Sequence, residues 1–207
     1  KISMGAFLAS EIVMPALPEF QQRHPEIDVH LETSTRNVDL LHEDVDVALR
    51  FGTGPWPKLR AHPLLAVDAV PVCDPATAAR LQGLAPEAIG DLALIHSSAF
   101  PNGWQYWERA TGVSLATATR DLWVDSYLAI IRAAEEGAGL ALGLVPLINP
   151  LLQRGRLVAP WPALRARSEL AYYLLHRVRD GERPEILAFH EWVRERLSGA
   201  LAEVPFG

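Results

Sequence analysis

Apolar and polar positions alternate strictly near the start of the chain in Ile27-Asp28-Val29-His30-Leu31-Glu32-Thr33, and Val45-Asp46-Val47-Ala48-Leu49-Arg50-Phe51 repeats the pattern with Ala48 in a polar place. A period of two puts one set of side chains on a buried face, so both read as half-buried strands, the second ended by Gly52. Residues 37–43 between them leave room for a short helix, and residues 2–6 form a weaker strand. Residues 10–24 place Val13, Leu17 and Phe20 on one helical face, with Pro15 and Pro18 expected to kink the helix or delay its start. Further on the pattern predicts strands over 66–73, 92–96, 122–124, 140–144, 156–158 and 170–176. Helices are predicted from Asp74-Pro75 to Leu81, over 103–110, from a cap at Asp125 or Ser126 to Glu136, and from Pro146. The clearest amphipathic stripe is Ile186, Phe189, Val193 and Leu197, which predicts a helix over 184–197. Strands alternating with helices describe an α/β protein with helices on both sheet faces.

Composition narrows this picture. Of 207 residues 49% are hydrophobic and 21% charged, which excludes a largely disordered chain. Lysine and arginine total 19 against 25 acidic residues, a net charge of −6, so the chain offers no overall basic face for nucleic acid. The single cysteine, Cys73, excludes a disulfide framework and sits among apolar residues, where a small core side chain is the default. The uncharged run over 137–153 is broken by Pro146 and Pro150 and falls short of the roughly 20 residues needed to span a bilayer. Candidate linkers lie near 68–71 and at Pro160-Trp161-Pro162. If both cross one hinge, the middle of the chain forms one lobe and the two ends the other.

Motifs for catalysis are absent or broken. There is no Gly-x-Ser-x-Gly elbow and no Walker-type phosphate loop. Gly137-Ala-Gly139-Leu-Ala-Leu-Gly143 imitates a dinucleotide fingerprint, but its third glycine is one residue late and it follows a helix; a helix stop before a closely packed strand is the plainer reading. His190-Glu191-Trp-Val-Arg194 imitates a zinc helix but carries arginine where the second ligand belongs. No metal and no cofactor is called for, and no enzymatic activity.

Small and hydroxylated residues gather instead at the ends of predicted strands: Gly5 to Leu8, Thr33-Ser34-Thr35, His96-Ser97-Ser98 and Asp125-Ser126. Open α/β sheets bind ligands at such ends, where helix starts aim N–H groups outward. The same residues are also common caps and turn formers, so the pattern alone leaves both readings open.

The order of motifs resembles the effector-binding domain of LysR-type transcriptional regulators, near the subgroup of glycine-cleavage and β-lactamase regulators. The resemblance is carried by Met14-Pro15-Ala-Leu17-Pro-Glu-Phe20 with His24-Pro25-Glu-Ile27-Asp-Val29, and by Val38-Asp39-Leu40-Leu41 with Asp44-Val-Asp46-Val-Ala48-Leu-Arg50-Phe51-Gly52. It continues through Gly54-Pro55-Trp56-Pro57, Asp125-Ser-Tyr-Leu128-Ala, Gly137 to Gly143, Gly155-Arg156-Leu157-Val158 and Arg183-Pro184 to Trp192. It implies two Rossmann-like lobes of the type II periplasmic-binding-protein kind joined by two crossovers, residues 1–68 with 164–207 and residues 69–163. It also implies a cleft that takes a small effector (an organic acid, an amino acid or a peptide-like molecule). By position in the motifs, the effector-binding residues would be Ala6, Phe7, Leu8, Thr33, Ser34, Thr35 and Asp39 in the first lobe, and His96, Ser97, Ser98, Asp125 and Ser126 in the second. Many relatives carry Ser or Thr at the positions of Ala6 and Phe7; lacking that hydroxyl, Phe7 is expected to narrow or fill the cleft. The family further implies a cytoplasmic homodimer or tetramer that reads promoter DNA through a winged helix-turn-helix upstream of Lys1. A processed periplasmic solute-binding protein of a transporter is the alternative.

Overall fold

The computed structural model describes residues 1–34, 39–88, 92–115 and 120–199. Its strands are β1 (Ile2–Met4), β2 (Leu31–Thr33), β3 (Val47–Gly52), β4 (Leu59–Val72), β5 (Ala93–Ser97), β6 (Arg120–Val124), β7 (Leu140–Val145) and β8 (Ala166–Arg177). Its helices are α1 (Ala6–Leu8), α2 (Met14–Arg23), α3 (Pro75–Leu81), α4 (Gly103–Thr111), α5 (Tyr127–Glu135), α6 (Asn149–Gln153) and α7 (Pro184–Gly199). The chain forms two compact units. One runs from Lys1 to Ala66 and resumes at Glu169 through α7; the other is Val67–Ser168.

In the first unit the strand order is β2-β1-β3-β8, with the first part of β4 beside β8. β1 is parallel to β2 and β3, and β3 is antiparallel to β8. The core around Leu40, Val45, Ala48 and Leu175 is covered by Trp56 and Tyr173. Phe20 of α2 packs against Phe189 and Trp192 of α7 at 5.8 and 5.1 Å between ring centres. In the second unit the order is β4-β7-β5-β6, with β4 antiparallel to β7 and β5 parallel to both β6 and β7. Its core joins Trp104 and Trp107 of α4 to Cys73, Leu94 and Leu140. Each indole N–H finds a carbonyl, Trp104 on Ile95 and Trp107 on Leu164, both at 3.0 Å, so burying these large rings leaves no donor unpaired. Burial first, and then the neighbouring Asp74, push the Cys73 thiol up to about 12, which makes it an inert core side chain.

Several elements differ from the sequence expectation for physical reasons. The helix expected late or kinked starts early: α1 leads into a π turn at Ala9–Val13, which runs directly into α2. The wide turn just before Pro15 carries the chain past the point where the proline ring meets the previous turn's carbonyl. Residues 27–30 alternate like a strand, yet β2 begins only at Leu31. The register Ile2↔Leu31 leaves residues 27–29 beyond the start of β1, with no neighbouring strand to pair. β4 begins seven residues before the alternation shows it, and β8 also extends past its apolar stretch at both ends. Pro146 lies in the turn after β7; it is Pro150 that opens α6. The stretch 156–158 contributes one bridge, Cys73↔Val158. The described part of the expected helix over 37–43 is a turn closed on the Asp39 carbonyl by the N–H groups of His42 and Glu43.

The glycines that imitate a dinucleotide fingerprint serve packing. A Cβ on Gly139, whose φ is +154°, would stand 2.2 Å from the Ala93 carbonyl, and one on Gly143 would stand 2.4 Å from Ile148. They let the turn after α5 lie against β5 and let β7 lie against the start of α6.

Candidate functional site

In each unit the candidate residues collect where parallel strands end. In the first unit β1 ends at Met4 beside Thr33 of β2, and the Ser34 N–H donates to the Met4 carbonyl at 2.9 Å. Gly5 then begins the helical run, and no side chain caps it. The start of a helix leaves backbone N–H groups without intrahelical partners and carries partial positive charge, which suits an anionic group. The side chains of Phe7 and Leu8 are only 3% and 1% exposed, so they are core residues, and at these positions only the backbone faces outward chemistry. Phe7 therefore fills its own unit's core. Thr33 is exposed and Ser34 half-buried, both at the end of β2. Thr35 lies outside the described residues.

Asp39 is exposed and fully engaged in its own turn. Its carboxylate accepts from the Leu41 N–H at 3.0 Å and meets His42 Nδ1 at 2.7 Å, while its own N–H donates to Glu43. The His42 hydrogen bond first, and the Leu41 N–H second, hold the carboxyl below the usual range. The turn-forming role that Asp residues commonly play is thus the one visible at this position.

In the second unit β5 and β6 end together in register, His96↔Trp123 and Ser97↔Val124, and the Ser98 N–H donates to the Val124 carbonyl at 2.8 Å. Ser97 is half-buried and Ser98 exposed; across from them lie exposed Asp125 and half-buried Ser126. Ser126 takes the N-cap position of α5 with extended backbone, but its hydroxyl makes no capping bond, unlike the cap the sequence predicts. One strand end therefore brings Ser97 and Ser98, after β5, next to Ser126 at a helix start that no side chain caps. His96 is 7% exposed, stacks on Trp123 with ring centres 4.4 Å apart, and meets the Asp121 carboxylate at 2.8 Å through Nε2. A carboxylate only accepts, so Nε2 carries the proton and a neutral ring leaves Nδ1 as an acceptor. That Nδ1 is buried and has no hydrogen-bond partner among the described residues.

Sequence reading missed three contributors. Arg50 of β3 is buried, and its guanidinium donates to the Ser3 hydroxyl at 2.7 Å and the Ser3 carbonyl at 3.1 Å, which sets a cation two residues behind Gly5. It looked like one polar position in an alternating strand. Tyr127 opens α5, and its hydroxyl accepts from the Leu144 N–H at 2.8 Å, tying the helix start to the end of β7. A cavity of about 580 Å³ lies at the opposite pole of the first unit, where β1 and β3 begin. It is lined by Ile27, Val29, Phe20 and Phe189, with Asp46, Arg183 and Glu185 at its edge. Arg183 pairs with both carboxylates there, to Asp46 at 2.6 Å and Glu185 at 2.5 Å, so these charges satisfy one another. No cluster of three or more metal-binding side chains occurs among the described residues, and none of their helices is long and apolar enough to cross a membrane.

Known proteins resemble this chain in sequence and fold. The LysR substrate binding domain family matches residues 1–198. The HTH-type transcriptional activator AmpR of Rhodobacter capsulatus is 35% identical over 161 residues, 78% of this chain and 54% of that protein. The glycine cleavage system transcriptional activator of Escherichia coli K12 is 30% identical over 98% of this chain and 65% of its own length. The chain thus spans between half and two thirds of the length of these relatives. Among solved structures, the effector domain of AmpR from Pseudomonas aeruginosa superposes with a TM-score of 0.79 at 29% identity, covering 95% of this chain and 94% of that one. A triply substituted effector binding domain from Citrobacter freundii gives 0.82 at 26% identity, covering 95% of this chain and 97% of that one. The fold is accordingly the two-lobed α/β fold of the type II periplasmic-binding kind. These relatives are regulators of transcription and lend no support to the transporter alternative. The chain belongs to the LysR substrate binding domain family.

Proposed function

We propose that this chain is the effector-sensing part of a cytoplasmic LysR-type regulator, in which a small molecule taken at the strand ends alters how an attached winged helix-turn-helix reads promoter DNA. The observation that carries the reading is the second unit's strand end: Ser97 and Ser98 follow β5 where β6 ends, next to an α5 start that Ser126 does not cap, beside a buried imidazole nitrogen without a hydrogen-bond partner among the described residues. Such a site suits a ligand with a carboxylate for the N–H groups and polar groups for the serine hydroxyls, as in an organic acid, an amino acid or a peptide-like molecule. In the first unit the backbone at Ala6 to Leu8, with Thr33 and Ser34, offers an uncapped helix start of the same kind. The chain binds and does not turn its ligand over, and the intact regulator acts as a dimer or tetramer.

The test is a thermal-shift screen against small carboxylates, amino acids and short peptides. A ligand at 100 times its dissociation constant adds about 2.7 kcal/mol to stability. Loss of that shift in Ser97→Ala and Ser126→Ala supports the reading. A hit whose shift is untouched by both substitutions sinks it.

A further inference from the structure

Three histidines that the candidate site does not use meet inside the first unit, each from a different element. His62 comes from β4, His176 from β8 and His190 from α7. His62 and His176 face each other Nε2 to Nε2 at 3.0 Å, with their rings nearly parallel at 20°. The His190 ring lies 4.4 Å from that of His62. His176 is almost fully buried, and its Nδ1 contacts the Arg177 carbonyl at 2.8 Å. The loop at Gly181 closes over it so tightly that an added Cβ would stand 3.1 Å from the ring. We propose that these histidines form a proton-sensitive clasp, which fastens α7 to β4 and β8 at neutral pH and loosens under mild acid.

The hydrogen positions explain why. A carbonyl only accepts, so His176 Nδ1 carries a proton and its neutral ring offers a bare Nε2; the proton between the two Nε2 atoms then belongs to His62. One added proton can be absorbed if His62 shifts its own proton to Nδ1 and accepts from the His176 imidazolium. A second cannot: it sets two N–H groups and two positive charges against each other at hydrogen-bond distance. Surrounding groups deepen the resistance. β4 brings Arg60 and α7 brings Arg194, both cationic, while Glu191 of α7 pulls the other way. On β8 the Arg177 guanidinium is already committed to Asp180, Asp46 and the Leu40 carbonyl. Burial first, then for His62 the charges of His190, His176 and Arg60 and for His190 those of Arg194 and His176, hold both below the ordinary histidine value of 6.5. The unfolded chain therefore binds more protons than the folded one just below pH 6.5. The clasp is at full strength above that pH and weakens as pH falls through the window below it.

The decisive measurement is histidine ring NMR titration of the wild-type chain, paired with melting at pH 7.5 and 5.5. Expected are midpoints below 6.5 for His62 and His190, and a drop in Tm of about 3–5 °C that the His62→Gln/His190→Gln variant loses at least by half. Amide exchange of α7, corrected for intrinsic rate, rises at pH 5.5 relative to that of α5. Midpoints at or above 6.5 overturn the proposal, as does an equal pH loss in wild type and variant. Stabilisation by micromolar Zn²⁺ that disappears in the variant would make the cluster a metal site instead and overturn the proton clasp.

Discussion

The two strand ends that hold the candidate residues are built alike and furnished differently. In both, parallel strands stop in register and a helix starts with no side-chain cap. In the first unit the side chains after the strand turn inward: Phe7 and Leu8 are core residues, Asp39 serves its own turn, and Arg50 stands behind the loop. What is left for a ligand is mainly backbone. In the second unit the hydroxyls and the imidazole remain at the strand end, and His96 Nδ1 still lacks a donor. The lesson is that one scaffold places an uncapped helix start at both strand ends, while the side chains around it differ; on the proposed function, selectivity would follow from that difference.

That contrast can be broken most forcefully at Phe7. Phe7→Ala is expected to cost about 3–5 kcal/mol in urea unfolding, as for a core aromatic. A cost below about 1 kcal/mol would mean the ring borders ligand space and the two ends are alike after all. Tyr127→Phe should cost about 1–3 kcal/mol by the same measurement, because it strands the Leu144 N–H. In the second unit, Ser97→Ala with Ser98→Ala should stay within about 0.5 kcal/mol of wild type in unfolding while abolishing ligand-dependent melting shifts. A large stability loss there would make these serines structural. The smallest effect is expected at Asp39. Its carboxyl is held below 3.8, so its contribution is complete above that pH and fades as pH falls through the lowered value. Comparing melting at pH 5 and pH 3, Asp39→Ala should remove a small acid-side loss and leave ligand binding intact; lost binding would return Asp39 to the site.

The apolar stripe over 184–197 announced α7 well, because one buried face dictates the pattern; the pattern over 45–51 announced β3 as a strand, though Val47 to Arg50 are buried on both faces. The first half of β4 was hidden since its residues, Pro63 among them, are mostly half-exposed and keep no period. Residues 27–30 failed in the other direction: periodicity reports which face is buried but is blind to where a neighbouring strand ends. Strand-end positions such as Ser97 and Ser126 were legible from turn chemistry next to predicted strands. Arg50, Tyr127 and the pairing of His62 with His176 were not, since their partners lie 47, 17 and 114 residues away and no local spacing encodes them.

The stack of Trp123 on His96 has a practical consequence. The chain has six tryptophans. Trp104, Trp107 and Trp192 are buried and Trp56 and Trp161 partly so, whereas Trp123 is half exposed on the edge strand β6. Its indole is therefore the one most open to water, and it is in contact with the His96 imidazole. On the proposed function, a molecule bound beside His96 would change the surroundings of this one ring and leave the core indoles as they are. On the proposed function, this indole at the strand end would report occupancy under red-edge excitation of the unlabelled chain, without a reporter gene or an attached dye.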